Sequence, residues 1–283
     1  MYLPLNLNQA RVLVTVKAYP KPSGKYEELV CTAGFTEGGK WIRIYPIPYR
    51  FLADDQIYPK YSWITLDLIR NTSDFRPESY RPKQGLDEHI QGGRVLGTQD
   101  AWAARKQLVL REVLTSMNEL IALAKGDDKK SLATVRPTEI TGFSIEVTDR
   151  EWKEKWTNQA LQRSFLELTQ PSTGQRRQII RKVPYDYFYE FLTEGDSSPR
   201  KLKIEDWEIG ALYWHCLANT QGDENAANHL VRQKYFHDFT KKKDVHLFVG
   251  TTKQYHNVAP NPFIIIGVFY PPRSMQPSLF ASV

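Results

Sequence analysis

Aromatic and cationic side chains alternate along one short segment near the start of the chain. In the run Trp41-Ile-Arg43-Ile-Tyr45, the isoleucines would face one side of a β-strand and the other three residues the opposite side. Cations neutralise phosphates, and aromatic faces stack on unpaired bases. The pattern therefore predicts a β-barrel wall whose outer face presents stacking groups to a nucleic acid.

Further cations and aromatic residues surround this strand and recur later in the chain. The run from Arg176 to Lys182 holds four cations and no acidic residue, but its Ile179 and Ile180 also fit an ordinary strand with a solvated face. Aromatic residues at alternating strand positions commonly bury one face, so a core role for the tyrosines is the alternative. The predicted nucleic-acid-binding residues are Lys17, Tyr19, Lys21, Trp41, Arg43, Tyr45, Tyr49, Arg50, Arg76, Arg81, Arg176, Arg177, Arg181 and Lys182.

One segment has part of the pattern of a phosphate-binding loop. Residues Gly34 to Lys40 fit G-x-x-x-x-G-K, but Trp41 stands where Ser or Thr would hold Mg²⁺. A phosphate loop must also open a helix, whereas the residues after Lys40 have the pattern of a strand. The pair Gly38-Gly39 suits a tight hairpin turn instead.

Metal-dependent chemistry has little support in the sequence. Glu151-Trp152-Lys153 could supply the E-x-K half of a nuclease core, but the upstream acids Asp127 and Asp128 lie in a polar linker. The six histidines are scattered, and neither C-x-x-C nor H-E-x-x-H occurs. We expect no catalytic residue, no metal and no cofactor, with a metal-dependent nuclease as a lesser alternative.

Composition predicts a folded, soluble protein with one large domain or two small ones. The chain has 283 residues, of which 41% are apolar and 12% aromatic, with a net charge of +6. That charge suits a polyanionic partner without requiring one. The two cysteines, Cys31 and Cys216, lie in apolar stretches and suit a reducing cytoplasm. We expect no secretion signal and no membrane span, because the chain has neither a basic, apolar leader nor a long apolar run.

The order of predicted elements is β-rich, helix, β-rich, helical pair and two strands. The predicted strands are 12–17, 29–35, 40–45, 61–70, 139–147, 161–169, 176–191 (broken at Pro184), 245–250 and 263–270. The predicted helices are 100–125, 204–217 and 224–240, prolines 46 and 48 end the second hairpin strand, and 71–97 is an ordered loop. The polar run 126–130 places a domain boundary near residue 130, giving domains 1–130 and 131–283. The predicted fold is α+β and β-rich, with two small β-barrels joined by a helix and a helical pair (about 204–240) inserted in the second.

Several stretches resemble a little-characterised family of prokaryotic proteins with dual OB-fold domains. They are Val14-Thr-Val-Lys-Ala-Tyr-Pro-Lys-Pro-Ser, Tyr26-Glu-Glu-Leu-Val-Cys-Thr-Ala-Gly, Trp41-Ile-Arg-Ile-Tyr-Pro-Ile-Pro-Tyr-Arg, Arg76-Pro-Glu-Ser-Tyr-Arg-Pro, Asp206-Trp-Glu-Ile-Gly-Ala-Leu-Tyr, Phe248-Val-Gly-Thr-Thr and Pro262-Phe-Ile-Ile-Ile-Gly-Val-Phe-Tyr-Pro-Pro. The resemblance implies two OB-like barrels and, by analogy of fold, oligonucleotide binding. It supplies no catalytic residues.

Two functions of different classes fit these observations. The leading hypothesis is a cytoplasmic protein that binds DNA or RNA, in single-stranded form, with low sequence specificity. The alternative is an interaction or scaffold subunit of a larger nucleic-acid-processing or defence complex. Its helical pair would dock a protein partner or a second copy through Trp207, Tyr213, Trp214, Tyr235 and Phe236, unless these residues pack on the second barrel.

Overall fold

A computed structural model describes residues 3–23, 27–153 and 180–273 of the chain. The strands of the first sheet are β1 (Asn6–Lys17), β2 (Lys21–Ser23), β3 (Glu27–Thr36), β4 (Trp41–Ile47), β5 (Ser62–Arg70), β6 (Ser79–Pro82) and β7 (Gln91–Val95). Short 3₁₀ turns occur at Tyr49–Phe51, Asp54–Gln56 and Gly85–Asp87.

Five strands of the first sheet close into a barrel. The order is β1-β3-β4-β6-β5, and β5 pairs back with β1 to complete the ring. The β4–β6 pair is parallel and the other pairs are antiparallel. This order and the parallel pair fit an OB-like fold. We call this barrel, with β2 and β7, the first unit.

The interior of the first unit is filled by one face of each strand. Ile42 and Ile44 of β4 point into the barrel, as their alternation with Trp41 and Arg43 predicts. The buried interior residues are Val12, Val14, Ile42, Ile44, Ile47, Tyr58, Ile64, Leu66, Leu68, Tyr80 and Ile90.

A second sheet repeats the strand order of the barrel. Its strands are β8 (Val113–Leu114), β9 (Leu132–Val135), β10 (Glu139–Val147), β11 (Tyr185–Leu192), β12 (Arg200–Ile204), β13 (His246–Thr251) and β14 (Phe263–Phe269). The order β10-β11-β12-β14-β13, with β12 parallel to β14, matches that of the first unit. Here the first strand is split by Pro137, so that β9 pairs with β13 while β10 pairs with β11. We call this sheet and its helices the second unit.

Helices cover the second sheet and connect it to the first. They are α1 (Gln99–Val109), α2 (Met117–Lys125), α3 (Trp207–Asn219), α4 (Glu224–Arg232) and α5 (Phe239–Lys242), with a π-helical turn at Gln233–Asp238 between the last two. Asp206 and Asp223 cap α3 and α4 by accepting hydrogen bonds from backbone N–H groups of the first turn. Tyr213 and Tyr235 are buried in the core of the second unit.

A third cluster of buried apolar residues joins the two units. In it, Phe248 of β13 lies against Phe35 and Trp41 on the outer face of the first barrel, with ring centroids 6.4 and 5.4 Å apart. The members of this interface cluster are Leu13, Val16, Ala33, Phe35, Trp41, Tyr61, Leu96, Val109, Leu132, Phe248 and Phe269. The outer face of the first barrel is therefore covered by the second unit.

The prediction of a β-rich α+β fold with a helical pair inserted in the second half is confirmed. Strand 139–147 is confirmed at both ends, and the strands 12–17, 29–35, 40–45, 61–70, 245–250 and 263–270 correspond to β1, β3, β4, β5, β13 and β14. The helices predicted at 204–217 and 224–240 correspond to α3 and to α4 with its π-helical extension. The strand predicted at 161–169 and the first residues of the one at 176–191 lie outside the described residues, and the described part begins as a strand at Tyr185.

Three predictions about elements are wrong. The helix predicted over 100–125 is two helices separated by β8, because Val113 and Leu114 pair with β9 and Ser116 caps a new helix by accepting from the N–H of Glu119. The loop predicted over 71–97 contains β6 and β7, whose strand pattern is obscured by proline and glycine. Strand β4 continues through Pro46 to Ile47 rather than ending before it.

We expect Phe248→Ala to lower the free energy of unfolding by about 3–5 kcal/mol, because it removes a fully buried ring from the interface cluster. Urea denaturation would measure the change, and wild type and variant should each unfold in one transition because the units share this cluster. Val258→Ala, at a position that is 73% exposed, is the control and should change stability by less than about 0.5 kcal/mol. Separate transitions for the two units in the wild type would contradict this interpretation.

Candidate functional site

Two of the predicted phosphate-binding arginines are buried between the units. The guanidinium of Arg43 donates to the Oγ of Ser131 at 2.9 Å and to the carbonyl oxygen of Thr251 at 3.3 Å. Arg76 donates to the same carbonyl oxygen of Thr251. We call Arg43 and Arg76 the arginine clamp, because both reach from the first unit to one carbonyl oxygen of the second.

Carboxylates close to the arginine clamp compensate its charge. Arg76 is paired with Asp74, whose Oδ2 also accepts from Ser79, and Glu78 accepts from the backbone and hydroxyl of Ser131. Burial alone would raise the pKa of Asp74, but hydrogen bonds and the charge of Arg76 outweigh it and lower the pKa from 3.8 to about 2. Burial, together with the neighbouring charge of Arg76, lowers the pKa of Arg43. The clamp is thus a buried polar network with satisfied partners.

Trp41 shares the buried position of the arginine clamp. Its ring lies 4.1 Å from that of Phe35, and its side chain is almost fully buried. The predicted alternation of Trp41 and Arg43 with the isoleucines is present, but the face they form contacts the second unit. A phosphate or base could reach Trp41, Arg43 or Arg76 only if the two units separated.

A different group of aromatic rings meets where the two units are open to solvent. Tyr49 of the first unit and Trp207 at the start of α3 lie 5.3 Å apart, and Tyr19 lies 6.5 Å from Trp207. The indole N–H of Trp214 donates to the hydroxyl of Tyr19 at 2.9 Å. All four rings are half-buried and so present part of their surface to solvent. We call Tyr19, Tyr49, Trp207 and Trp214 the junction cluster.

Buried lysines support the junction cluster from behind. The Nζ of Lys17 donates to the hydroxyl of Tyr49 at 3.0 Å and lies 5.4 Å from the ring centroid of Trp207. Burial, with a smaller contribution from Lys60, lowers the pKa of Lys17 to about 8. The predicted cation Lys17 is therefore placed within the site rather than on its surface.

An ion pair crosses from the first unit to the cap of α3. Lys60 lies 3.0 Å from carboxylate oxygens of both Asp206 and Glu208. Burial alone would lower the pKa of Lys60, but these two carboxylates outweigh it and raise the pKa. Because Asp206 also accepts from the N–H of Glu208, the ion pair fixes the start of α3 and the ring of Trp207 against the first unit.

Two predicted cations from the second unit lie at the edge of the junction cluster. The guanidinium of Arg181 is 3.9 Å from the ring centroid of Trp214 and is exposed, and its carbonyl oxygen accepts from the hydroxyl of Tyr19 at 2.7 Å. Lys182 donates to the carbonyl oxygen of Asp149. The structure thus brings Arg181 next to Tyr19, although 162 positions separate them in the sequence.

The remaining predicted residues are spread over the surface or lie outside the described part. Arg50 is exposed and follows Tyr49, Tyr45 is 42% exposed, and Arg81 is exposed on β6. The side chain of Lys21 and all of Arg176 and Arg177 lie outside the described residues.

For the aromatic residues of the helical pair, the sequence left open a protein partner or packing on the second barrel; the structure places four of them in contacts within the chain. Trp207 and Trp214 contact the first unit, and Tyr213 and Tyr235 belong to the core of the second. Lys60, Asp206 and Glu208 were not predicted for the site. The one available signal was the Asp206-Trp-Glu stretch, in which a capping aspartate precedes an aromatic residue.

Residues 3–23, 27–153 and 180–273 contain neither a cluster of metal-ligating side chains nor a helix that could span a membrane. Within these ranges, no group of three or more His, Cys, Asp or Glu side chains is arranged to bind a metal ion. No helix in those ranges combines the length and the apolar composition needed to span a bilayer. Glu151 and Lys153, the half-motif of a nuclease, are both exposed.

Comparison with protein families assigns both halves of the chain. Residues 113–283, more than half of the chain, match the model of a family described as Domain of unknown function (DUF8757). The chain belongs to the DUF8757 family. Residues 8–111 match a second model, Domain of unknown function (DUF8758). No curated protein matches the sequence. The DUF8757 segment begins at β8. It therefore includes β8 and α2, although both precede the predicted domain boundary near residue 130.

We expect the pairing of Asp74 with Arg76 to make stability depend on pH in the acidic range. The pKa of Asp74 is lowered by folding, so its carboxylate contributes stability that is present above its ordinary pKa of 3.8 and is lost as the pH falls toward about 2. Asp74→Asn should therefore lower the free energy of unfolding at neutral pH and flatten its decline between about pH 5 and pH 3. Urea denaturation across this range, with the exposed Asp54→Asn as control, would measure both effects; an equally steep decline in Asp74→Asn would contradict the assignment.

Proposed function

We propose that this DUF8757 protein binds single-stranded nucleic acid at the junction cluster, with little sequence preference. The observation that supports this most directly is the meeting of four half-buried aromatic rings from both units beside an exposed arginine, Arg181. Aromatic faces can stack on any base, and each stacked base is typically worth about 1–3 kcal/mol. Stacking of this kind is tolerant of sequence.

The arrangement of charge favours the junction over the outer face of the second sheet. On the outer face of the second sheet, Lys201 pairs with Glu146. Cations that already face carboxylates add little positive potential for a phosphate backbone. The guanidinium of Arg181 instead lies over the ring of Trp214, and a guanidinium in such a position can still donate from its N–H groups to phosphate oxygens.

The face on which OB-like barrels usually bind their ligands is covered in this protein, which directs attention to the exposed residues beside it. Such barrels bind oligonucleotides across one sheet face and its adjoining loops. In the first unit that face carries Trp41 and Arg43 and is covered by the second unit. Tyr19, in the segment that follows β1, remains half-exposed, so a strand approaching the first unit would meet the junction cluster.

We expect Arg181→Ala to weaken the binding of a labelled single-stranded oligonucleotide and to reduce the salt slope of the binding constant by about 1, because one phosphate contact is lost. Fluorescence anisotropy over a series of salt concentrations would measure both quantities. Arg94→Ala, which removes an exposed arginine on β7, is the matched control and should leave affinity close to that of the wild type.

Several results would count against the proposal. Absence of binding to single-stranded DNA, single-stranded RNA and duplex DNA at about 50 mM salt would reject it. Equal losses in Arg181→Ala and Arg94→Ala would mean that binding depends on net charge rather than on the junction cluster. Association through the helical pair stays a prediction, which a mass measurement of the pure protein in solution would test.

A further inference from the structure

A cavity of about 100 Å³ opens between the two units beside the junction cluster. Tyr19 of the first unit forms one wall, and β11, β12 and α3 of the second unit form the others. The residues that line the cavity include Tyr19, Trp152, Val183, Tyr185, Lys203 and Glu205. Ligand sites occur preferentially where structural units meet and combine mostly apolar walls with a few placed polar groups; those for drug-sized ligands measure about 300–1,000 Å³, so this cavity suits only a fragment of such a ligand.

The cavity has room for one small ring. A single water needs about 10–15 Å³, so this space admits roughly seven to ten non-hydrogen atoms. That is the size of a pyrimidine base without its sugar. A whole nucleotide would have to leave its sugar and phosphate outside, next to the exposed side of the junction cluster.

The walls combine aromatic surface with fixed donors and acceptors. The hydroxyl of Tyr185 donates to Glu224 at 2.6 Å, which holds its ring in place. Lys203 lies 2.9 Å from Asp186 and 3.5 Å from Glu205, so an ammonium and two carboxylates are held together at the cavity. Burial alone would lower the pKa of Lys203, but the two carboxylates outweigh it and raise the pKa, which keeps the ammonium charged. A base edge, which carries both donors and acceptors, suits such a wall.

The ring of Tyr19 belongs both to the cavity and to the junction cluster. It packs directly on α3 at Gly210, where an added Cβ would come within 2.4 Å of the ring. Its hydroxyl also accepts from Trp214 and donates to the carbonyl oxygen of Arg181. A strand lying on the junction cluster would therefore pass the mouth of the cavity.

We propose that the cavity receives one unstacked base of pyrimidine size from the bound strand; this inference rests on the proposed function. The strand's phosphates would stay outside near Arg181, and the inserted base would contact the ring of Tyr19. Insertion of one base would fix the position of the bound strand relative to the junction cluster. It would not require recognition of a longer sequence.

The first test fills the cavity. Val183→Phe adds a ring at a lining position, and Val147→Phe adds the same ring at a position that is 76% exposed. We expect Val183→Phe to weaken the binding of an oligopyrimidine strand by about 5- to 100-fold, the equivalent of one lost stacked base. Val147→Phe should bind like the wild type. Circular dichroism and the denaturation midpoint would confirm that both variants are folded.

A second test uses the wild-type protein and does not depend on that variant. A strand carrying a single 5-iodouracil would be irradiated in complex with the protein, and the cross-linked residue identified by mass spectrometry. Cross-links to Trp152 or Tyr185, which line the cavity but are not part of the junction cluster, support the inference, and cross-links confined to the junction cluster overturn it.

The outcomes separate the inference from the function on which it rests. Unchanged strand affinity in a folded Val183→Phe variant, with the wild type binding normally, overturns the cavity assignment alone. Failure of the wild type to bind any strand overturns the proposed function and the inference together.

Discussion

The carbonyl oxygen of Thr251 accepts hydrogen bonds from both arginines of the clamp, and the relation of the two units depends on this contact. Two guanidinium groups, one from β4 and one from the turn before β6, would repel each other in an apolar setting. Asp74 and Glu78 balance them, and Ser131 and Thr251 of the second unit complete their hydrogen bonds. The network is satisfied only when the units are docked, so it specifies one docking geometry while the interface cluster supplies most of the apolar burial.

The same strand order is put to different uses in the two halves. In the first, the barrel closes and its outer face becomes an internal contact surface. In the second, Pro137 lacks the N–H that would continue a ladder, so the first strand divides and its two parts pair with different neighbours. Helices α3 and α4 then cover this sheet, and the N-terminus of α3 is tied to Lys60 of the first unit. Partly exposed aromatic rings of both units meet at the junction cluster.

Local patterns in the sequence predicted local structure well and tertiary contacts poorly. Alternation correctly placed Ile42 inside the barrel and Arg43 outside, and helical periodicity with capping aspartates located α3 and α4. The pattern could not show that Arg43 is covered, because its partners Ser131 and Thr251 lie 88 and 208 positions away. For the same reason the helical period over 100–125 hid β8, whose partner strand β9 follows later in the chain. Tyr19, Tyr49 and Arg181 of the candidate site were among the residues predicted from the sequence, but their proximity in the folded chain was not predicted.

The interface cluster is built from residues of both family segments. Family models divide the chain between residues 111 and 113, as though it were assembled from two independent modules. Yet Trp41 and Phe35 on one side and Phe248 on the other are buried against each other across this boundary. The first half alone would expose the rings of Trp41 and Phe35 and would leave Arg43 and Arg76 without their acceptors on Ser131 and Thr251, which is a liability for solubility. A cut between residues 111 and 113 would therefore divide one buried interface rather than separate two independent modules.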